Sequence, residues 1–268
     1  MPVWRFLNTG LRDGATNMAL DEALLIGAGR GASPPTVRVF GWSPPTVSLG
    51  HSQDPAAELD LAACDRAGVG VVRRPTGGRA VFHAGELTYS VVGPSGTPPL
   101  GRSIRETYRV IGEAIVAGLS LLGVRASLEE TGTDPGLRRG GASPPCFVSS
   151  GRYEVVLGRR KLVGSAQRRA GRAVLQHGSV LMDMRHADLA ELLASLTGEE
   201  RAAVRRSLVE RTTTLESAVG RPVGFDAVAD AMRRGFEAAW GVKLAEGSLT
   251  SAEQSLASEL ARRYAIRR

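Results

Sequence analysis

The sequence predicts an α+β fold in which mixed sheets are flanked by helices. Three observations carry this reading: strand-like apolar runs crowd the first two-thirds of the chain, one strongly amphipathic helix interrupts them, and four-residue apolar repeats fill the last quarter. Strands that lead and helices that intersperse or trail favour α+β over a doubly wound sheet, which needs strand and helix in regular alternation. The chain has 268 residues; at about 150 residues per domain that is one large domain with at most a small appendage. No linker long enough to separate two halves and no internal repeat is present. We therefore expect one large domain over 1–245 and a helical tail over 246–268 packed on it.

Taken in order, Thr16 suits an N-cap, and 17–27 gathers Met18, Leu24, Leu25 and Ile26 around Asp21 and Glu22 before glycines stop the helix. Val37-Arg38-Val39-Phe40 and Val47-Ser48-Leu49 flank Gly41-Trp42-Ser43-Pro44-Pro45 and read as two strands joined by a turn. A short helix is expected over 55–67, then a strand at Val69-Gly70-Val71-Val72, then the alternating run Leu87-Thr88-Tyr89-Ser90-Val91-Val92. Over 104–122, Tyr108, Ile111, Ile115, Leu119 and Leu122 recur at helical spacing and define one buried face. Residues 131–150 are rich in Gly, Pro and Ser and read as a loop over the sheet. The segments 153–157 and 161–163, separated by Gly158-Arg159-Arg160, predict a hairpin, and 173–182 a returning strand. Val228, Met232 and Phe236, then Leu256, Leu260 and Tyr264, repeat every four residues as helices do.

Composition narrows the function. Hydrophobic residues at 43% and a mean hydropathy of -0.07 exclude a disordered or fibrous chain. No apolar run approaches the roughly 18 residues of a membrane span, and Met1-Pro2-Val3-Trp4-Arg5 lacks the pattern of a secretory leader. The expected location is the cytoplasm, with no membrane partner. Two cysteines, Cys64 and Cys146, are too few for a disulfide framework. The four histidines lack metal-ligand spacing, and no metal is expected; structural or surface roles suit His51 and His186. The net charge of +7 suits an acidic partner. Standard nucleotide signatures are missing: no phosphate-binding GxxxxGK[ST] occurs, and Gly27-Ala28-Gly29-Arg30-Gly31 follows a helix where a dinucleotide fingerprint follows a strand, so it reads as a helix stop. No GxSxG nucleophile elbow is present.

The densest motif is Arg73-Arg74-Pro75-Thr76-Gly77-Gly78-Arg79-Ala80-Val81-Phe82-His83, a rigid turn between two expected strands with guanidiniums and an imidazole at its edges. Adjacent glycines let backbone N–H groups approach an oxygen closely, and arginine adds a permanent charge beside it. Alone, such a turn could be a hairpin with solvated arginines. Its continuation into Glu86-Leu87-Thr88-Tyr89-Ser90-Val91 resembles the signature of the lipoate and biotin protein ligase and acyltransferase superfamily. Asn17-Met18-Ala19-Leu20-Asp21-Glu22-Ala23, Lys161-Leu162-Val163-Gly164-Ser165-Ala166-Gln167 and Leu175-Gln176-His177-Gly178-Ser179 match the same superfamily in order. Within it, Pro144-Pro145-Cys146-Phe147 resembles the cysteine motif of the octanoyltransferase branch.

The resemblance implies the catalytic-domain fold of the biotin and lipoate ligases and a nucleophilic Cys146, with Cys64 left to packing. It sets Lys161 against the acyl carbonyl, where an ammonium would stabilise an oxyanion and favour the thiolate. Arg73, Thr76, Gly77, Gly78, Arg79, His83, Gly164, Ser165, Gln176 and His177 are carried over as substrate-binding. The implied donor is octanoyl-acyl carrier protein, and the acceptor a lysine of a lipoyl domain or glycine cleavage H protein, in lipoate biosynthesis and without a cofactor. One departure stands out: Ala84 follows His83 where related sequences often carry an acidic residue, leaving open what orients the histidine.

Three other functions compete. An ATP-dependent lipoate-protein ligase is opposed by Cys146, by Arg79 where ligases more often continue the glycine run, and by the little chain left for an accessory domain. An octanoyl amidotransferase working between lipoyl domains differs in donor alone. A nucleic-acid module would use the charge and the Arg168-Arg169-Ala170-Gly171-Arg172 run, yet aromatics are only 5% and no base-stacking motif accompanies them.

Overall fold

Trp4 and Phe6 leave the first strand on one side and Arg5 and Leu7 on the other, and all four are buried. A strand with both faces covered must sit inside a sheet clad on both sides. The computed structural model, which describes residues 1–130, 153–264 and 266, shows this arrangement. That strand, β1 (Val3–Arg12), runs parallel to both of its neighbours, β2 (Thr36–Trp42) and β11 (Lys243–Glu246). Beyond β2 the pairing is antiparallel through β6 (Glu86–Pro94), β10 (Ala173–Leu181), β9 (Arg160–Ala170), β8 (Tyr153–Leu157) and β7 (Ser127–Glu130).

One face carries α4 (Ile104–Leu121) and α7 (Phe225–Trp240). These helices cross at Gly118 and Gly235: a Cβ on Gly235 would stand 2.3 Å from the Gly118 nitrogen, so only hydrogen fits. Beneath them Trp240 packs against both Trp4 and Phe236, with ring centroids 5.1 Å and 4.7 Å away respectively. The other face carries α1 (Gly14–Gly29), on which α8 (Ser251–Tyr264) packs. A second, three-stranded sheet orders β4 (Gly70–Arg73), β3 (Thr46–Leu49) and β5 (Val81–His83). The 3-10 helix Met184–Leu192 covers it, and α5 (Gly198–Arg211) packs on that helix.

The α+β expectation is met, with local differences. The two strands expected as joined partners, β2 and β3, enter different sheets: Phe40 pairs with Thr88, whereas Val47 pairs with Phe82. The helix expected over 55–67 is two, α2 (Pro55–Glu58) and α3 (Leu61–Arg66), because the Asp60 side chain accepts from the Ala63 N–H and starts a second helix. Asp13, not Thr16, caps α1, accepting from the Thr16 N–H at 2.9 Å. The loop expected over 131–150 lies outside the described residues.

Helix α8 is fastened to the first strand by charge. Arg5 donates from both terminal nitrogens to Glu253, at 2.9 and 2.7 Å, and the Ser33 hydroxyl and Thr250 N–H add to the same carboxylate. Burial alone would raise the Glu253 carboxyl; these donors outweigh it and hold the group at about 2 against an ordinary 4.5. A carboxyl depressed by folding contributes stability above its unfolded value and loses it as pH falls through the folded one. Urea unfolding should therefore show Glu253→Gln with a lower midpoint than wild type at pH 7, the gap closing as pH falls from 4.5 toward 2.

Candidate active site

The two sheets meet over a cavity with an apolar lining. Its walls are Met18 from α1, Trp42 from the end of β2, Val81 and His83 from β5, Thr88 from β6, Lys161 and the run Gly164-Ser165-Ala166 from β9, and His177-Gly178-Ser179 from β10. Ser48 and Arg74 close the side toward the small sheet. Lys161 is one of only two lysines in the chain. It is buried, and its Nζ lies 2.6 Å from Glu154 Oε1 on the adjoining β8.

Two carboxylate–imidazole–hydroxyl chains hold the walls. In the first, Arg38 and Asp21 form a fully buried ion pair at 2.7 Å, and the other Asp21 oxygen lies 3.0 Å from His177 Nδ1. Burial would raise the Asp21 carboxyl, but Arg38 and the donors His177 and Ser90 hold it below the usual carboxylate range. Burial also lowers His177 and outweighs Asp21, so the ring is neutral near pH 7. A neutral ring that donates from Nδ1 to the ionised Asp21 must accept at Nε2, which is 2.7 Å from the Thr76 hydroxyl. In the second chain, Glu86 Oε1 lies 2.7 Å from His83 Nδ1 and accepts from Thr88 and Ser179, while His83 Nε2 meets the Ser48 hydroxyl at 2.7 Å. Burial would raise Glu86; His83 and the two hydroxyls hold it below its usual range. The His83 ring also stacks on Trp42, with centroids 4.0 Å apart.

Removing Asp21 strands Arg38 in the core. Asp21→Ala should cost about 3–5 kcal/mol, read as a shift in urea midpoint, and should loosen His177 at the same time.

Five of the substrate-binding candidates line or support the cavity directly: His83, Gly164, Ser165, His177 and, through its bond to His177, Thr76. The 75–79 turn is pinned from beneath by Arg74, whose guanidinium donates to the Gly77 and Arg79 carbonyls at 2.9 and 2.7 Å. Gly78 adopts φ of 98° and sits so tightly on Gly50 that a Cβ there would be 2.0 Å from the Gly78 oxygen. The Arg79 guanidinium lies 3.8 Å from Glu58. Arg73 is exposed and donates to the Gln53 carbonyl; strand alternation gives the cavity Arg74 instead. Gln176 stands behind the wall, bonded to Gln167 and the Tyr89 hydroxyl. Cys146 lies outside the described residues. Cys64 is buried in α3 among Val47, Leu49 and Val69. Among the described residues no cluster of His, Cys, Asp or Glu could hold a metal ion. His51 is exposed, and His186 is buried against Thr212.

Several wall residues were not singled out from the sequence. Met18, Asp21, Glu86 and Thr88 lie inside recognised motifs, so their position was visible though not their role. Trp42, Ser48 and Arg38 carried no signal, since their partners come from distant strands. The arginine run at 168–172 is divided by strand alternation: Arg168 reaches toward the Pro75 carbonyl, and Arg169 donates to the Arg102 and Ser103 carbonyls and to Ser95 and Thr107.

Residues 13–237 match the model of the lipoyl protein ligase A/B catalytic domain. The chain belongs to that family. Among curated relatives, the octanoyltransferase LipM of Kyrpidia tusciae is 43% identical over 98% of this chain and 97% of its own. That of Symbiobacterium thermophilum is 44% identical over 96% and 93%. These relatives place the chain with the LipM octanoyltransferases, which are acyltransferases of lipoate biosynthesis. Among solved structures, a lipoate-protein ligase A bound with ATP superposes with a TM-score of 0.76 at 26% identity, covering 98% of this chain and 95% of that one. A bipartite lipoate protein ligase of Thermoplasma acidophilum, described with its E2 lipoyl domain, gives 0.76 at 26%, over 98% and 93%. Because these ligase chains are matched nearly end to end, chain length does not separate ligase from transferase.

Proposed function

We propose that the protein moves octanoyl from acyl carrier protein through Cys146 to a lysine of a lipoyl domain or glycine cleavage H protein, acting in the cytoplasm. The observation that carries this reading is the apolar cavity with Lys161 as the sole lysine of its described wall. An apolar lining suits an acyl tail, and a buried lysine at its edge suits a developing oxyanion. In the first step the Cys146 thiolate attacks the carrier thioester, forming a new thioester and expelling the carrier thiol. In the second the neutral acceptor amine attacks, the amide forms, a proton leaves the nitrogen, and the Cys146 thiolate departs. Thioester exchange is near balance and amide formation runs downhill, so the sequence needs no ATP. The net charge of +7 favours the acidic surfaces of carrier and lipoyl domains. The segment after residue 245, which carries α8, acts as a tail of the catalytic domain. Among the described residues no helix is long and apolar enough to cross a membrane.

The test is transfer itself: octanoyl-acyl carrier protein, a lipoyl domain and the enzyme, without ATP. The expected result is an acceptor one octanoyl group heavier. Acceptor modified only when ATP and free acid are supplied would establish the ligase instead, and octanoyl drawn only from another lipoyl domain the amidotransferase.

A further inference from the structure

The C-terminal helix reaches the wall of the cavity. Tyr264, the last residue of α8, packs on the cluster of Met18, Phe40, Trp42 and Val72. Its hydroxyl donates to Glu22 Oε2 at 2.7 Å. Met18 and Trp42 are themselves cavity wall. Glu22 stands one helical turn beyond Met18 on α1, so the hydroxyl bond fixes the ring over the residue it supports.

The sheet order says which end of the cavity this is. Lys161 lies on β9 and Trp42 at the end of β2, with β10 and β6 between them. Three strand spacings, about 14 Å, separate the two strands. An acyl group whose carbonyl meets Lys161 therefore runs across the sheet and ends with its methyl against Met18 and Trp42. This direction rests on the function proposed above.

We infer that Tyr264 is a specificity-determining positioning residue: by backing Met18 and Trp42 it closes the far end of the cavity and limits the acyl chain to medium length. The ring packs on the cluster to which Met18 and Trp42 belong and does not itself line the cavity, so its removal should change which chain length is preferred before it changes chemistry.

The experiment is calorimetric titration of octanoate and dodecanoate onto the full-length wild type, Tyr264→Ala, Tyr264→Leu and Tyr264→Phe. Wild type should favour octanoate. Tyr264→Ala should shift the ratio of dissociation constants toward dodecanoate by about tenfold. Tyr264→Phe, which keeps the ring, should retain the wild-type ratio. Tyr264→Leu, which preserves apolar packing if the alanine variant fails to fold, should lie between. An unchanged ratio in both Tyr264→Ala and Tyr264→Leu, equal weakening of both acids, or a wild type that binds neither would overturn the inference. A wild type that discriminates between the acids yet transfers no octanoyl would count against the proposed function alone.

Discussion

Cys146→Ala should lose octanoyl transfer by about a thousandfold or more, the scale on which removal of a covalent nucleophile acts, while Cys64→Ser keeps it. The two cysteines differ in surroundings. Cys64 sits in α3 against the core of the small sheet and is inaccessible to a carrier. Its replacement puts a hydroxyl into an apolar core at a cost of about 1–3 kcal/mol, which lowers the unfolding midpoint without touching the reaction. Cys146 follows Pro144-Pro145 in the motif that resembles the octanoyltransferase cysteine. The measurement is single-turnover transfer from octanoyl-carrier to a lipoyl domain, run well below the midpoint of the less stable variant. Equal activity in the two variants would remove the covalent mechanism.

Lys161→Met should lower kcat/KM by roughly 10²–10³-fold, the effect of deleting one oxyanion-stabilising group. It should also destabilise the fold, because Glu154 loses a partner 2.6 Å away in a buried setting. These effects can be parted. The double variant Lys161→Met/Glu154→Gln also removes the carboxylate charge that faced the ammonium, so the urea midpoint should recover much of its loss while transfer stays low. Recovery of transfer together with stability would assign Lys161 to the architecture and not to the oxyanion.

What the sequence made legible follows from what kind of partner each residue has. Helices α4 and α7 announced themselves because their apolar faces pack locally on one sheet and leave a helical period in the chain. Strand β1 did not: buried on both sides, it carries Arg5, whose partner Glu253 lies 248 residues away, and the charge breaks any alternation a reader could follow. Strands β7 and β11, four residues each and partly exposed, are too short to show a pattern.

At the site, motif order marked the turn at 75–79, His83, Gly164, Ser165 and His177; the cavity gathers the last four, and the turn supports it through the bond from Thr76 to His177. The electrostatics were hidden. A fully buried Arg38 reads in sequence as a surface strand residue until Asp21 is seen beside it. The question raised by Ala84 has a geometric answer: Gly85, at φ of 65°, turns the chain so that Glu86 comes back onto His83 Nδ1. The carboxylate is present, displaced by two residues.

The most direct test of the account is the intact mass of the purified protein after incubation with octanoyl-acyl carrier protein in the absence of ATP, for wild type and Cys146→Ala. One octanoyl adduct is expected on wild type and none on the variant. A wild type that stays unmodified under these conditions, or an adduct that persists in Cys146→Ala, would contradict it.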